Sequence, residues 1–392
     1  MKNELINSDV AMENTSAPRK KVRDSNLELF RIITMLLIVA HHYVVNSGLT
    51  APNGPIYADP LSWRSLFLFL FGAWGKTGIN CFVLISGYFM CKSNITAKKF
   101  AKLLGEMLFY RFVIGCIFLI SGYPHYGVKI FLKALIPITN IGTGFSPAFL
   151  IFFLCIPFLN ILTKGMKEKQ HIRLLLICFF VYVVLGTIPF FSVTMNYVSW
   201  FVVLYLIASY IRLYSKKLFS KTRLWGWLSL ACILVSAISV VACAWLGQQL
   251  GKTMAFYFVT DSNTFLATAT GFCTFMFFKN VKVKNSRFIN TVAASSFGVL
   301  LIHAHSDAMR QWLWRDVLDN VSMYHSPWLI IHALASVLGI YIVCTVIDRL
   351  RIQFIEKPFF KLWDKHWDKI SFKYKVLESN ICKKLNIEEN DK

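Results

Sequence analysis

The chain has 392 residues, of which 56% are hydrophobic and 16% are charged, and its mean hydropathy is +0.53. It is too apolar for an ordinary soluble protein and too long for a single transmembrane hairpin, so it belongs among polytopic membrane proteins. A net charge of +22 would suggest nucleic acid in a soluble protein, but here the Lys and Arg residues lie in short loops between apolar runs. Their distribution therefore indicates membrane topology and argues against a nucleic-acid partner.

The first segment is a polar, basic tail, residues 1–26, which we predict to be disordered and cytoplasmic. The segment after it lacks a small-residue cleavage site, so no cleaved signal peptide is expected. Ten apolar runs follow, most of them long enough to cross a hydrocarbon core of roughly 30 Å, with the second and ninth the shortest. They are residues 29–46, 77–91, 103–122, 145–163, 171–189, 196–213, 224–246, 264–278, 294–306 and 327–347.

Residues 62–74 are a further apolar stretch, which we predict to be an interfacial helix. If this stretch spans the membrane, the count becomes eleven. The loop charges favour ten, because cytoplasmic loops are rich in Lys and Arg and the basic loops here alternate with loops poor in net positive charge. The sequence therefore predicts an all-α polytopic membrane protein with about ten transmembrane helices and both termini in the cytoplasm.

The region after the last run, residues 350–392, is basic and rich in aromatic residues. Its part from Phe359 to Trp367 has the amphipathic character of a helix lying on an anionic membrane surface, so we predict membrane anchoring. The membrane domain is then residues 27–349. The ten cysteines form no CxxC pair and lie mostly in apolar runs, which indicates reduced packing residues rather than disulfides or a zinc site.

The first apolar run contains two ionisable side chains, Arg31 and His42, with ten residues between them. At roughly 100° per residue both lie on one helix face, about 16 Å apart along the axis. Ionisable groups inside a membrane helix cost roughly 2.5 to 3.5 kcal/mol each, which favours a functional interpretation. An imidazole suits a general base and can itself be acylated. The alternative is that His42 only hydrogen-bonds a neighbouring helix.

Other polar residues interrupt the apolar runs. His41 lies about 100° round the helix from His42, so we expect it to pack or to face a substrate. Asn80, Ser86 and two glycines in the second run suit close helix packing or a polar lining. Further single polar residues are more often interhelical hydrogen bonds than ligands; they are Asn196, Trp200, His303 and His305. No metal site is expected, because carboxylate partners for the histidines are missing.

A basic cluster follows the second run, with Lys98, Lys99 and Lys102 at the start of the third run and Arg111 further along. Ammonium groups and backbone donors at a helix start both favour anions, so the cluster could bind the phosphates of a nucleotide-like cofactor. Ordinary positive charge on the cytoplasmic side explains the cluster equally well.

These residues together resemble the integral-membrane acyltransferase-3 family, whose bacterial members O-acetylate cell-surface polysaccharides and related glycans. That family has an arginine, ten residues and a histidine in its first helix, which Arg31 and His42 match. Its Ser-Gly-(Phe/Tyr) motif in the second helix is matched by Ser86 to Tyr88. The similarity continues in residues 156–160, 200–207 and 296–303 and covers roughly residues 25–360.

One position departs from the family pattern. Where the family commonly has two arginines separated by two residues at the start of the third helix, this chain has Lys99 and Lys102. Lysine keeps the positive charge but loses the bidentate geometry with which arginine binds phosphate. Arg111 could compensate for that loss.

The resemblance implies transfer of an acyl group, most simply acetyl, from cytoplasmic acetyl-CoA to a hydroxyl of a cell-surface glycan or lipid-linked sugar. The protein would lie among the lipids of a bacterial plasma membrane and hold no permanently bound cofactor. His42 would be the general base or an acyl relay, and Arg31, the second residue expected in the catalytic site, would hold the CoA phosphates or orient the pantetheine arm. The expected donor-binding residues are Lys99, Lys102 and Arg111. The residues expected to line the substrate path or the helix interfaces are Asn80, Ser86, Tyr88, Trp200 and His303.

The competing function is a transporter or flippase for a lipid-linked or hydrophilic substrate, because intramembrane charges also mark transport paths. A transporter would more naturally show internal two-fold repetition or broken helices in corresponding halves. Neither feature is evident in the sequence.

Overall fold

The computed structural model describes residues 24–188, 190–191, 193, 195–367 and 371. These residues are helical and include no strand, which confirms the predicted all-α class. Most of the predicted N-terminal tail lies outside the described residues. The α-helices are α1 (Ser25–Val45), α2 (Pro55–Ala58), α3 (Trp63–Gly72), α4 (Gly75–Met90), α5 (Ala97–Ile120), α6 (Val128–Leu135), α7 (Phe145–Gly165), α8 (Glu168–Cys178), α9 (Tyr197–Leu213), α10 (Thr222–Leu250), α11 (Phe265–Asn280), α12 (Arg287–Ala293), α13 (Ser296–His303), α14 (Asp307–Gln311) and α15 (Leu329–Arg351). Short 3-10 or π-helical segments are Phe179–Leu185, Lys217–Ser220, Trp312–Val317, Ser322–His325 and Ile352–Glu356.

Six helices of the described part are long and apolar enough to cross a membrane. They are Ser25–Val45, Trp63–Met90, Ala97–Ile120, Phe145–Gly165, Thr222–Leu250 and Leu329–Trp367. A further candidate is broken, because Arg287–His303 and Asp307–His325 meet at 94°. The ninth predicted run, 294–306, falls at this break and forms a short helix with a sharp turn instead of a straight span.

The other three predicted runs are helical but are not among the six candidate spans. Residues 171–189 form α8 and a π-helical continuation, α9 has 17 residues, and α11 has 16. About ten transmembrane helices, with both termini in the cytoplasm, therefore stays a prediction.

The second apolar run is longer than predicted. Helices α3 and α4 together form one 28-residue candidate span by length and composition, and an interfacial position for residues 62–74 stays a prediction. Glycines allow this span to approach α1 closely: a Cβ on Gly72 would lie 2.9 Å from the Val44 side chain, and one on Gly75 would lie 2.2 Å from the His41 ring. The break between α3 and α4 therefore lies directly against α1.

The last span also extends beyond its predicted end. Helix α15 continues through the π-helical turn Ile352–Glu356 to Trp367, giving 39 residues in one span candidate. At 1.5 Å per residue this is roughly 58 Å, about twice the thickness of a hydrocarbon core. The amphipathic segment 359–367 is thus a direct continuation of the last span.

Helix α1 lies at the centre of the bundle and packs against α3, α4, α11, α12, α13 and α15. Its side chains Met35, Val39 and Tyr43 are fully buried. Large apolar side chains on outer helices are exposed, among them Phe158 and Trp227, as expected of surfaces that face lipid. The central position of α1 carries Arg31 and His42 into the interior of the bundle. We call the side on which α1 and α5 begin the basic side.

Candidate active site

His42 of α1 and His303, the last residue of α13, form a hydrogen-bonded pair. Nδ1 of His42 lies 2.9 Å from Nε2 of His303, and Nδ1 of His303 lies 2.6 Å from the carbonyl oxygen of Val299. A carbonyl only accepts, so Nδ1 of His303 carries the proton, and its unprotonated Nε2 accepts from Nδ1 of His42. This leaves the lone pair on Nε2 of His42. The pair therefore presents one imidazole nitrogen that can accept a proton or attack an electrophile.

The fold holds His303 rigidly behind His42. His303 is 1% exposed and has its ring 6.4 Å from that of Trp314, between centroids. Both of its ring nitrogens are hydrogen-bonded, which fixes its tautomer and orientation. The sequence shows His303 only as a single polar residue in an apolar run. The structure places it in direct contact with His42.

His42 lines a cavity of about 1080 Å³ on the side of the bundle opposite the basic side. The cavity is bounded by the ends of α1, α5 and α13, the starts of α4, α7, α9 and α14, and α6. His41 lines the same cavity, with its Nδ1 donating to the carbonyl oxygen of Gly72 over 2.6 Å. The structure thus places His41 at the cavity, and a substrate-facing role for it stays a prediction.

Several charged residues line the cavity: Lys76, Arg111, Lys133, Asp307, Arg310 and Asp316. Nζ of Lys76 donates to the hydroxyl of Tyr197 over 2.8 Å. The hydroxyl of Tyr123 donates to Asp316 over 2.6 Å, and burial together with this bond raises the pKa of Tyr123 to about 12. Tyr123 therefore stays protonated near neutral pH and acts there as a hydrogen-bond donor.

Arg111 lines the cavity. The sequence groups it with Lys99 and Lys102 as a donor-binding residue, but in the structure it lies apart from these lysines. It lies nine residues beyond Lys102 on α5, roughly 13 Å further along the axis. Its Nη1 donates to the carbonyl oxygens of Ala134 and Ile136 at 2.7 and 3.2 Å. Arg111 thereby fastens the segment that contains α6 over the cavity.

Lys99 and Lys102 lie on the basic side, away from His42. Nζ of Lys99 donates to Ser93 Oγ and to the carbonyl oxygen of Asn94, both at 2.6 Å. Nζ of Lys102 lies 2.6 Å from Glu356 Oε1. Both lysines therefore bind groups of the chain itself, and neither lines the cavity.

Arg31 lies on the same face of α1 as His42, as predicted, and about 16 Å from it along the axis. Its Nη1 is 3.2 Å from Glu28 Oε2, and its guanidinium carbon is 5.9 Å from the centre of the Phe82 ring. The structure thus places Arg31 toward the basic side and His42 at the cavity, at two levels of one helix.

Of four other predicted residues, Asn80, Trp200 and Tyr88 bond to other segments, and Ser86 bonds within its own helix. Asn80 Oδ1 accepts from Trp200 Nε1 at 2.8 Å, and Asn80 Nδ2 donates to two carbonyl oxygens, those of Ser262 and Ala267. Ser86 donates to a carbonyl within its own helix. The Tyr88 hydroxyl accepts from Arg212 at 2.7 Å. None of the four lines the cavity, so the structure favours helix-lining roles for them over substrate contacts.

Sequence reasoning missed Lys76, Tyr197 and Arg310 as cavity residues. Lys76 carried a usable signal, because it is a lone cation between two apolar stretches. The other two carried none, since tyrosine at a helix start and arginine in a loop are ordinary. Within the described part of the chain no three His, Cys, Asp or Glu residues are grouped in a way that could hold a metal.

The fold and the histidine pair define a multi-pass membrane protein equipped for acid–base or nucleophilic catalysis. The chain belongs to the acyltransferase-3 family, whose model, described as an acyltransferase domain, matches residues 24–349. That match confirms the family suggested by the sequence motifs and includes Arg31, His42 and His303. The chain is therefore a membrane acyltransferase. It matches no curated protein and no solved structure.

Proposed function

We propose that this acyltransferase moves an acetyl group from cytoplasmic acetyl-CoA to a hydroxyl of a cell-surface glycan or lipid-linked sugar, in the plasma membrane of a bacterium. The observation that carries the proposal is the His42–His303 pair at the wall of the cavity. At about 1080 Å³ the cavity is at the upper end of the range of pockets that bind small molecules, so it has room for sugar units.

In the proposed reaction Nε2 of His42 removes the proton of the acceptor hydroxyl as its oxygen attacks the thioester carbonyl. A carbon–oxygen bond forms, the carbon–sulfur bond breaks, and the leaving thiolate of CoA takes the proton from His42. While His42 is protonated, its Nδ1–H continues to donate to His303, which holds the imidazolium in place.

A second mechanism uses the same nitrogen as nucleophile. Nε2 of His42 attacks the thioester carbonyl, a nitrogen–carbon bond forms, the carbon–sulfur bond breaks, and CoA leaves as its thiolate, which takes a proton from water. The acceptor oxygen then attacks the carbonyl of the acyl-imidazole, the nitrogen–carbon bond breaks, and the hydroxyl proton passes to the freed Nε2 and from there to water. The two mechanisms differ in one observable: only the relay releases CoA, up to one equivalent per site, before any acceptor is present. Rapid-mixing measurement of free CoA thiol separates them.

The donor is proposed to approach from the basic side. Arg31 lies on that side, at the other end of the helix face that carries His42. A donor whose CoA part is held near Arg31 must therefore extend along α1 for roughly 16 Å before its thioester reaches His42. In this proposal Arg31 orients the CoA part of the donor. Lys99 and Lys102 would bind its phosphates after giving up their present partners, Ser93 and Glu356.

The test is transfer of labelled acetyl from acetyl-CoA into the glycan fraction of membranes that carry the wild type, His42→Ala or an empty vector, at matched expression. We expect label in the wild type only. Equal labelling by wild type and His42→Ala, above the vector, would remove His42 from the chemistry. A transporter or flippase would give no label in any of the three.

A further inference from the structure

The cavity beside His42 carries more positive than negative charge. Four cationic and two acidic side chains line it: Lys76, Arg111, Lys133, Arg310, Asp307 and Asp316. Both acids are already bound by the protein, Asp307 by Arg310 at 2.8 Å and Asp316 by the Tyr123 hydroxyl at 2.6 Å. Among the described residues, Lys76, Arg111 and Lys133 have no carboxylate within ion-pair distance.

Lys76 is the cation of this group that lies at the start of α4, the helix that packs against α1. It follows Gly75, which packs against the ring of His41, and it is half-buried at the start of α4. Its Nζ donates one hydrogen to the Tyr197 hydroxyl at 2.8 Å. An ammonium group has three hydrogens, so two are left, and the Tyr197 hydroxyl keeps its own. The cavity wall therefore has several donors for an anion.

The location of this charge is chemically significant. A cation inside a membrane bundle is costly unless it is paired, and its usual justification is a ligand or a transport path. Lys76 and Arg310 line the same cavity as His42. An anionic group held by them would therefore lie close to the nitrogen that we propose accepts the hydroxyl proton.

We propose that the acceptor is an anionic sugar whose carboxylate or phosphate group binds Lys76 in this cavity, with Lys133 adding positive charge. Lys76 is then a specificity-determining residue for the acceptor. The inference rests on the proposed acyltransferase function and adds the chemical class of its acceptor.

The first test examines the labelled product from the wild type. The acetylated glycan is fragmented under conditions that preserve O-acetyl esters, and the smallest labelled fragments are applied to an anion exchanger. We expect them to bind. Loss of binding after chemical reduction of carboxyl groups assigns a carboxylate, and loss after cleavage of phosphodiesters assigns a phosphate. Neutral labelled fragments would overturn this inference and leave the acyltransferase proposal standing. No transfer at all would overturn both.

The second test uses Lys76→Gln, with Lys76→Arg to restore the charge and Lys252→Gln as a control. Lys252 is exposed and does not line the cavity. Loss of one charged contact predicts a rise of about tenfold in KM for the acidic glycan acceptor in Lys76→Gln, with a much smaller change in kcat. Lys76→Arg should recover most of the affinity. Lys252→Gln should behave like the wild type.

The competing role for Lys76 is stabilisation of the oxyanion that forms on the thioester carbonyl. That role predicts a lower kcat with an unchanged acceptor KM, and the same loss with an acceptor whose acid group has been removed. Such a result, or kinetics of Lys76→Gln identical to those of the wild type, would overturn the proposal. The proposal predicts instead that removal of the acid group abolishes the difference between Lys76→Gln and the wild type.

Discussion

Two charged regions lie inside this bundle, and they are built differently. Toward the basic side, the guanidinium of Arg351 bonds three buried carboxylates: Asp348 at 2.8 Å, Glu356 at 2.9 Å and Glu106 at 3.3 Å. Lys102 adds a second cation through Glu356. We call these five residues the Arg351 cluster. Each of its members has a partner of opposite charge from the same chain.

The cavity beside His42 has the opposite character. Lys76 is satisfied only in part, through the neutral Tyr197, and His42 lines the cavity. Burial of ionisable groups in a membrane bundle therefore does not identify the active region by itself. What distinguishes the two regions, within the described part of the chain, is that both cations of the Arg351 cluster have a carboxylate partner, whereas Lys76 of the cavity has none.

The largest effect in this comparison is expected from Arg351→Ala. Removing one partner of a buried charge network leaves the carboxylates unpaired and should cost about 3 to 5 kcal/mol in the free energy of unfolding. Lys357→Ala is the control, because Lys357 is exposed on the same helix and its side chain bonds only Gln353. Thermal unfolding of the two variants in detergent measures the difference. Equal stability would show that the Arg351 cluster is not structural.

His303→Ala should lower acyl transfer by roughly 10- to 100-fold, because Nδ1 of His42 loses the acceptor that orients it. His303→Gln keeps an acceptor oxygen and should recover part of the activity. His171→Ala is the matched control: His171 is also buried, but it bonds the carbonyl oxygen of Leu206 outside the cavity. Activity of His303→Ala equal to that of the control would contradict an orienting role.

The smallest effect is expected from Lys102→Gln. Its ion pair with Glu356 is half-exposed, so its loss should change the free energy of unfolding by no more than about 1 kcal/mol, as measured by thermal unfolding in detergent.

If Lys102 and Lys99 also bind CoA phosphates, the double variant Lys99→Gln/Lys102→Gln should show a raised KM for acetyl-CoA with an unchanged acceptor KM. An unchanged KM for acetyl-CoA would remove both lysines from the donor site.

The sequence alone predicts those features that arise within a single helix, such as its location and the face on which a side chain lies. Periodicity placed Arg31 and His42 on one face, and hydropathy identified the apolar runs as helices. It was not sufficient for pairings between distant segments. Asn80 meets Trp200, 120 residues away, and Lys102 meets Glu356 through a π-helical turn that no local pattern indicates.

The boundaries of the spans show the same limit. The stretch 62–74 joins α4 in one candidate span, and the close approach of both helices to α1 depends on Gly72 and Gly75, which hydropathy does not reveal. The ninth run was short in the sequence, and the sharp turn after His303 explains why. His303, at the end of that short helix, lies beside His42. The run that is hardest to assign as a span from the sequence, 294–306, therefore contains the hydrogen-bond partner of His42.

Two neighbouring histidines, His41 and His42, line one cavity, and we propose that His42, which bonds to His303, performs the chemistry. The most direct test measures acetyl transfer by His42→Ala and His41→Ala, normalised to the amount of folded protein. We expect His42→Ala to lose activity by about 100-fold or more, the usual contribution of a general base. His41→Ala should keep most of its activity, since its ring is bonded to the carbonyl of Gly72. Full activity in His42→Ala, or a larger loss in His41→Ala than in His42→Ala, would contradict the role proposed for His42.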